Sequence, residues 1–442
     1  MAGEWTARKI GSLGRVVTGK TPSTADPANF IGPYPFITIP DLDGRVVIDH
    51  AERSLSPKGA EVMRSCLLPP GAVMMSCIAT VGRCGLTAIP SFTNQQINSV
   101  IPNSNIDPRF LYYVFTQLSR ELESAGGGGS VYTNVSKSRF SDIEVMLPEE
   151  IKEQRAIAHI LGTLDDKIEL NRKMNETLEA IAKAIFKSWF VDFDPVRAKA
   201  EGRKPVGMDE ETAALFPDSF EDSELGKIPK GWEVKAIGDL VKCVKGKSYK
   251  SEDLQDSRTA LVTLKSFYRG GGYRPDGLKA YTGDFKAEQV VRPGELIVAC
   301  TDVTQAAEVI GRPALVQSTD DFTTLVASLD IMIVRPCVIS VSVPLLYYLF
   351  RTDEFTAHTY AHSTGTTVLH LSKEAVPSYK FALPSVGLRE EFASITLPVF
   401  ERIDTNESES RTLASLRDAL LPKLLSGEIR VKEAEKVVES VT

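Results

Sequence analysis

The sequence predicts an α+β fold: two similar mixed α/β modules separated by two long antiparallel coiled-coil helices, in a pseudo-twofold circular order of module, helix, module, helix. Three observations predict it. A segment near the N-terminus recurs near the middle of the 442-residue chain, strand-like and helix-like pieces recur after it in the same order, and each copy closes on a long segment with apolar residues at heptad spacing. A chain of this length exceeds what one hydrophobic core usually organises.

The repeat opens at two tryptophans. "WTARKIGSLGRVVTGKT" begins at Trp5 and "WEVKAIGDLVKCVKGKS" at Trp232, with Trp, Ile, Gly, Leu, Gly and Lys coinciding at a constant offset of 227. Residues 14–21, "GRVVTGKT", also fit the phosphate-loop pattern G-x-x-x-x-G-K-[ST]. The second copy tests that reading, because it keeps Gly246, Lys247 and Ser248 but has Val241 in place of Gly14. A phosphate loop must also open a helix, whereas Pro22 and Pro27 follow Thr21 closely. The shared G-K-[ST] is therefore read as a turn after a strand.

The correspondence continues through "PPGAVMMSC" (69–77) and "RPGELIVAC" (292–300), each a Pro-Gly turn feeding a buried strand. "GRCGL" at Gly82 then matches "GRPAL" at Gly311, with six more residues before it in the second copy, an insertion assigned to a surface loop. "LYYVF" (111–115) matches "LYYLF" (346–350), read as a helix with its aromatics in the core. Residues 126–148 align without a gap to residues 362–384, sharing a Gly-Ser/Thr-rich loop, a Ser-Lys pair and a closing Leu-Pro.

The helical segment after Pro148 carries Ile157, Leu161, Leu164, Ile168, Leu178 and Ile185 on a heptad seam, with Glu149 and Glu150 at its positive end. About 40 residues at about 1.5 Å each make roughly 60 Å of helix. At an offset of 235 the second helix answers with Phe392, Val399, Ile403, Leu413 and Leu420, and with Leu416 for Ile181. Asn171 answers to Asn406, and a polar residue on a seam fixes register at some cost in stability. Gly427 is placed to cap the second helix. The two helices are expected to pair with each other, the alternative being that each packs on its own module. Between the first helix and the second module, residues 193–230 are rich in charge, Pro and Gly and read as a surface linker.

Composition excludes several classes. A net charge of −7 argues against a general polyanion binder, since indiscriminate DNA affinity comes from Lys and Arg neutralising phosphates. Six cysteines show no C-x-x-C pair and no histidine at zinc-ligand spacing, so they read as reduced thiols. "HTYAH" (358–362) has metal-helix spacing but lacks the glutamate of a hydrolytic site. With no signal-like or membrane-length apolar run, the sequence predicts a cytoplasmic protein without a membrane contact.

"LPEEIKEQRAIAHILGTLDDKIELN", "FKSWFVDFDPVRAKAEG", "IPKGWEVKAIGDL", "TGKTPS" and the terminal "LLPKLLSGEI" closely resemble the DNA specificity (S) subunit of Type I restriction-modification systems. The resemblance covers nearly the whole chain, strongest at the helices and module edges. It implies two target-recognition domains, at 1–148 and 231–384, spacer helices at 149–192 and 385–427, the linker at 193–230 and a C-terminal tail at 428–442. Each domain would read one half of a bipartite site in double-stranded DNA, with half-sites on one duplex face recurring every 34 to 36 Å or so. Implied partners are two methyltransferase (modification) subunits and the restriction (motor-endonuclease) subunits. S-adenosylmethionine, ATP and Mg belong on those partners, and this chain would bind no cofactor and catalyse nothing. The sequence shows no N-P-P-[YF] methyltransferase signature and no helicase pair.

Base readout uses Arg, Lys, Asn and Gln, and phosphate contacts use Lys, Arg, Ser, Thr and backbone amides. The candidates in the first module are Lys20, Thr21, Asn94, Gln95, Gln96, Ser130, Tyr132, Asn134 and Lys137. In the second they are Lys247, Ser248, Arg269, Tyr273, Arg274, Thr366, Thr367, His370 and Lys373. Lys20 with Lys247, and Lys137 with Lys373, occur in both copies and are expected on phosphate, with unshared residues reading bases. Two other functions fit parts of the sequence: a coiled-coil scaffold whose modules bind protein or another polymer, and an ATP-using enzyme.

Overall fold

A computed structural model describes residues 5–125, 135–304 and 306–439. Among them no helix is long and apolar enough to cross a membrane. The chain divides into two compact units, Met1–Arg172 with Glu409–Thr442, and Lys173–Ser408. The divisions fall inside the two long helices, so each unit is one α+β module with half of each helix.

In the first unit Trp5–Lys9 pairs antiparallel with Glu144–Pro148, joining the two ends of the module. Gly14–Thr18, Ile97–Pro102, Val73–Ser76, Cys84–Thr87 and Val47–Ile48 form a sheet in that order. The alternation of strand side chains explains its two-sided core. Val73 and Met75 point to one side, where helix Pro108–Ala125 supplies Phe110, Tyr113 and Phe115. Met74 points to the other, among Phe36, Ile37 and Phe92 of a second, three-stranded sheet.

The second unit repeats this plan at the level of register. Thr6 faces Leu147 in the first module, and Glu233 faces Leu383 in the second. Gly14 faces Pro102 and Val241 faces Pro336. Val73 lies between Val100 and Leu86, as Leu296 lies between Val334 and Leu315. Even the parallel pairing of the second sheet recurs, Phe36 with Phe92 and Leu261 with Val326. Strands matched by sequence keep their offsets in this register, and strands that the sequence alignment does not reach, such as Ile97–Pro102 and Ile331–Pro336, pair equivalently, so the repeat is a repeat of backbone hydrogen bonding.

The long helices are Ile151–Phe190 and Val386–Leu425, 40 residues each. Within the first unit Asp165 meets Arg417 and Asn171 meets Ser410; within the second, Asn175 meets Asn406 and Phe186 meets Phe392. Partner numbers fall as first-helix numbers rise, so the helices run antiparallel in each unit. Both expected packings occur at once, since Ile157, Leu161, Leu413 and Leu420 share a single core with Phe110 and Tyr113. Leu164 is also fully buried there, and Ile168 packs at its edge.

The seam runs differently in the second unit. Val399, Ile403, Leu178 and Ile185 are only partly buried, and Ile181 is half exposed, while Ala182, Phe186 and Trp189 lie at the bottom beside Phe392. Large aromatics displace the contact line by one position, because the seam must follow the module surface as well as the partner helix.

Two segments depart from expectation. The charged stretch at 193–230 holds helices Asp194–Ala200 and Glu210–Ala214 and a hairpin of Phe220–Ser223 with Gly226–Pro229, and it buries Val196, Phe216 and Ile228 in the second core. The expected tail at 428–442 contains helix Val431–Glu439, whose Ala434 and Val438 are buried in the first core. Gly427 ends the long helix before it with φ of 73°, and the Ile429 N–H returns to the Lys423 carbonyl.

One polar cluster anchors the helices to the first module. The Tyr113 hydroxyl donates to Asp165 (2.5 Å), and the Arg417 guanidinium donates to its other oxygen (2.6 Å). Asp165 is 4% exposed. The aligned positions in the second unit are Tyr348, Phe400 and Ala182, so there the ion pair is replaced by aromatic packing, with the Tyr348 and Phe400 rings 5.8 Å apart.

Candidate nucleic-acid interface

The strand ending at Thr18 leaves through Gly19, which has no room for a side chain: a Cβ there would sit 2.1 Å from the Asn94 carbonyl oxygen. The Gly19 N–H donates to Ile97 and the Lys20 N–H to Thr93. Gly246 repeats this, its absent Cβ 2.1 Å from the Ser328 carbonyl oxygen, with Gly246 donating to Ile331 and Lys247 to Ala327. Lys20 is followed by irregular backbone and a short 3-10 turn, Pro27–Asn29, and Lys247 likewise opens no α-helix. The G-K-[ST] motif is thus a strand exit clamped against a neighbouring loop. Its glycine is needed for close approach of two backbones.

Around this clamp three further segments converge in each module. Cys77, at the end of the central strand, donates its N–H to Gln96 and accepts from Val135 (2.7 and 2.8 Å). Cys300 donates to Asp330 and accepts from Leu371 at the same distances. The strand exit, the loop before Ile97 or Ile331, the end of the central strand and the segment leading to the shared Ser-Lys pair therefore meet at one end of each sheet. Beneath them Asn98, 2% exposed, accepts from the Thr18 hydroxyl and donates to the Val135 carbonyl.

Most candidate residues fall on this cluster. Lys20, Thr21, Gln95 and Lys137 are exposed there, and the Thr21 hydroxyl donates to the side-chain amide oxygen of Gln95. In the second module Lys247 is half-buried and Ser248 exposed. Thr366 and Thr367 lie at the turn between Ser363–Thr364 and Leu369–Leu371, with His370 and Lys373 exposed beside it. Lys20, Lys137, Lys247 and Lys373 make no ion pair among the described residues, so their charge is available to an anion. Ser136 caps the helix that Lys137 begins, and Ser372 caps the turn holding Lys373. Ser130, Tyr132 and Asn134 lie outside the described residues, as does the glycine run at 126–129.

Five candidates are placed differently. Asn94 is buried with its amide engaged twice by Gln96, which leaves Gln96 bound to Asn94 rather than free for a base. Tyr273 is a core residue, 6% exposed beside Phe267 and Ile297, and burial pushes its hydroxyl well above the usual tyrosine range. Arg269 and Arg274 are exposed but paired with Glu308 and Asp276. Gly270, Gly271 and Gly272 all have positive φ and form a tight turn between Tyr268 and Tyr273, pinned to Glu308 and Pro313. By sequence such a run would let backbone approach a duplex or simply move; its geometry here serves a turn. His358 and His362 each bond a backbone carbonyl, and no group of three metal-ligating side chains occurs among the described residues.

One loop of the cluster was read from sequence only as an insertion. It joins Cys77 to Gly82 in the first module and Cys300 to Gly311 in the second, with both glycines at positive φ against a helix hydroxyl residue, Ser119 or Thr359. In the longer loop Asp302, 1% exposed, accepts from the N–H groups of Thr304, Val309 and Ile310 (2.6, 2.6 and 3.0 Å). Burial drives its carboxyl up, but these donors outweigh it and hold it below the usual aspartate range. The loop's anchor is therefore intact at neutral pH and is lost only as pH falls through that lowered value. The signal that could have found this loop was its unequal length in two otherwise aligned copies.

Residues 2–180 match the family model described as "Type I restriction modification DNA specificity domain". The chain is 28% identical to the Type I restriction enzyme MjaIX specificity subunit of Methanocaldococcus jannaschii, over 97% of this chain and 94% of that one. It is 25% identical to the HindI specificity subunit of Haemophilus influenzae over 74% and 79% of the two chains. Among solved structures, the S subunit of a Type I restriction-modification system from M. genitalium has a similar fold, with TM-score 0.51, 16% identity and 96% of both chains covered.

Proposed function

Since this chain belongs to the specificity subunits of Type I restriction-modification systems, we propose that each module reads one half of a bipartite site in duplex DNA and that the chain directs methyltransferase and restriction subunits to it. The observation that carries this reading is the doubled loop cluster, in which Lys20 and Lys247 occupy equivalent clamps while the side chains around them differ. Shared cations suit a backbone that is the same at every sequence, and differing neighbours suit different half-sites. The chain supplies recognition, and the adenine-methylating and ATP-using chemistry, with S-adenosylmethionine, ATP and Mg, resides on two methyltransferase subunits and the motor-endonuclease.

The test is base-modification sequencing of DNA from a methylation-free host carrying this chain with the methyltransferase encoded beside it, against the methyltransferase alone. A bipartite methyladenine motif that appears only with this chain is the expected result. An assembled complex that leaves no motif would overturn DNA reading and favour the scaffold function.

A second expectation concerns the lysines. Lys20→Ala with Lys247→Ala weakens binding of the assembled complex about equally at cognate and unrelated DNA, and the slope of log affinity against log salt becomes shallower by about 2. Titrations at several salt concentrations measure this. An unchanged slope would remove both side chains from the phosphate backbone.

A further inference from the structure

The loop after the central strand has the character of a base-reading element. Its two ends are built alike in both modules: a cysteine fixed by the same two backbone bonds, and a glycine that a helix hydroxyl residue leaves no room to replace. Between those ends the modules diverge in both length and internal support. In the first, the Ser76 hydroxyl donates to Thr80 and accepts from Arg83, making a short tight turn with Ala79 at φ of 64°. In the second, buried Asp302 takes over with three backbone donors. A common base carrying unlike tips is what two modules with different targets require.

The chemistry of the tips agrees. Ile78, Ala79, Thr80 and Val81 in one loop, and Val303 and Thr304 in the other, are uncharged and either apolar or hydroxyl-bearing. Threonine hydroxyls can reach phosphates as well as base edges, but the aliphatic side chains cannot hold a phosphate, and what they meet in the major groove is a thymine methyl group. Val303 is 68% exposed although it directly follows a residue that is 1% exposed. A β-branched side chain displayed on a backbone pinned by a buried carboxylate is a fixed apolar probe, with few rotamers to lose on contact. It also stands among the candidate contacts. Thr301 pairs with His370 and Asp302 with Leu369, while the Thr301 hydroxyl donates to Asp330 in the loop that Lys247 clamps.

We propose that Val303, presented by Asp302, is a specificity-determining contact of the second module, reading an apolar base edge such as a thymine methyl in its half-site. Asp302 is a positioning residue that acts through the backbone of the loop. The proposal rests on the DNA-reading function above and adds to it which residue discriminates.

The experiment is the same modification sequencing with the full chain and its methyltransferase, comparing wild type, Val303→Ala, Val303→Ser and Asp302→Asn. Val303→Ala is expected to relax one base position of one half-site, with discrimination there falling about tenfold, while the other half-site reads as before. Val303→Ser is expected to relax the same position. Asp302→Asn is expected to blur more than one position of that half-site only, which general destabilisation would not do, since it would lower modification at both halves together. A wild-type bipartite motif retained unchanged by both Val303 variants would overturn the proposal and leave the DNA-reading function standing. A wild type that yields no motif would overturn both.

Discussion

Arg417→Ala is expected to destabilise the first unit by about 3–5 kcal/mol, the cost of leaving a buried charge without its partner. Asp165 lies on the first long helix at 4% exposure, and its two oxygens are served by the Tyr113 hydroxyl and the Arg417 guanidinium. Removing the arginine leaves one carboxylate oxygen facing protein, and water reaches it poorly. Arg417 also holds Asp418, which pairs with Arg120 of the module helix, so the loss spreads along one side of the helix pair. Equilibrium urea unfolding of the full chain measures the effect. Adding Asp165→Asn to Arg417→Ala should recover part of the loss, because a neutral amide is cheaper to bury than a charge. Equal stability of wild type and Arg417→Ala would mean that Asp165 is not held as an ion pair.

The second large effect is Gly19→Ala, expected to cost about 2–3 kcal/mol by overpacking. The added methyl would lie 2.1 Å from one carbonyl oxygen and 2.3 Å from another, and both belong to backbone that is itself hydrogen-bonded. Only the Thr93 hydroxyl, also 2.3 Å away, could turn aside, and that would leave both carbonyl contacts in place. Gly246→Ala should do the same in the second unit. Lys20→Ala, one residue later, is expected to change stability by less than about 0.5 kcal/mol because that side chain is exposed. This pair of variants separates two readings of one motif. In a phosphate loop the lysine would be the critical residue for nucleotide, whereas in a strand clamp the glycine is critical for folding. Thermal unfolding with and without nucleotide checks both. A tolerated Gly19→Ala, or a nucleotide-induced stabilisation lost in Lys20→Ala, would contradict the clamp.

Much of the candidate interface could be located before the fold was known, because Lys20 and Lys247, and Lys137 and Lys373, recur at fixed offsets. Exposure could not be read that way. Tyr273 and Asn94 have the residue types of base readers, yet one fills a core and the other braces its neighbour. Arg269 and Arg274 are exposed but neutralised by nearby carboxylates. Conversely, Val303 has no residue-type signal for recognition, and only its display beside buried Asp302 distinguishes it.

What the sequence by itself determined is the duplicated α+β architecture, the two long antiparallel helices and the strand-turn nature of the G-K-[ST] motif. Those properties rest on local patterns: apolar periodicity, proline positions, and a repeat whose offsets reappear as strand register. Tertiary structure alone decided where the compact units divide, that the charged linker and the C-terminal segment are folded into the cores, and which polar residues remain free. The reason is physical. Periodicity reports which face of an element is apolar, but partner identity depends on residues hundreds of positions apart, such as Asp165 and Arg417. A side chain's availability depends on what those partners leave uncovered.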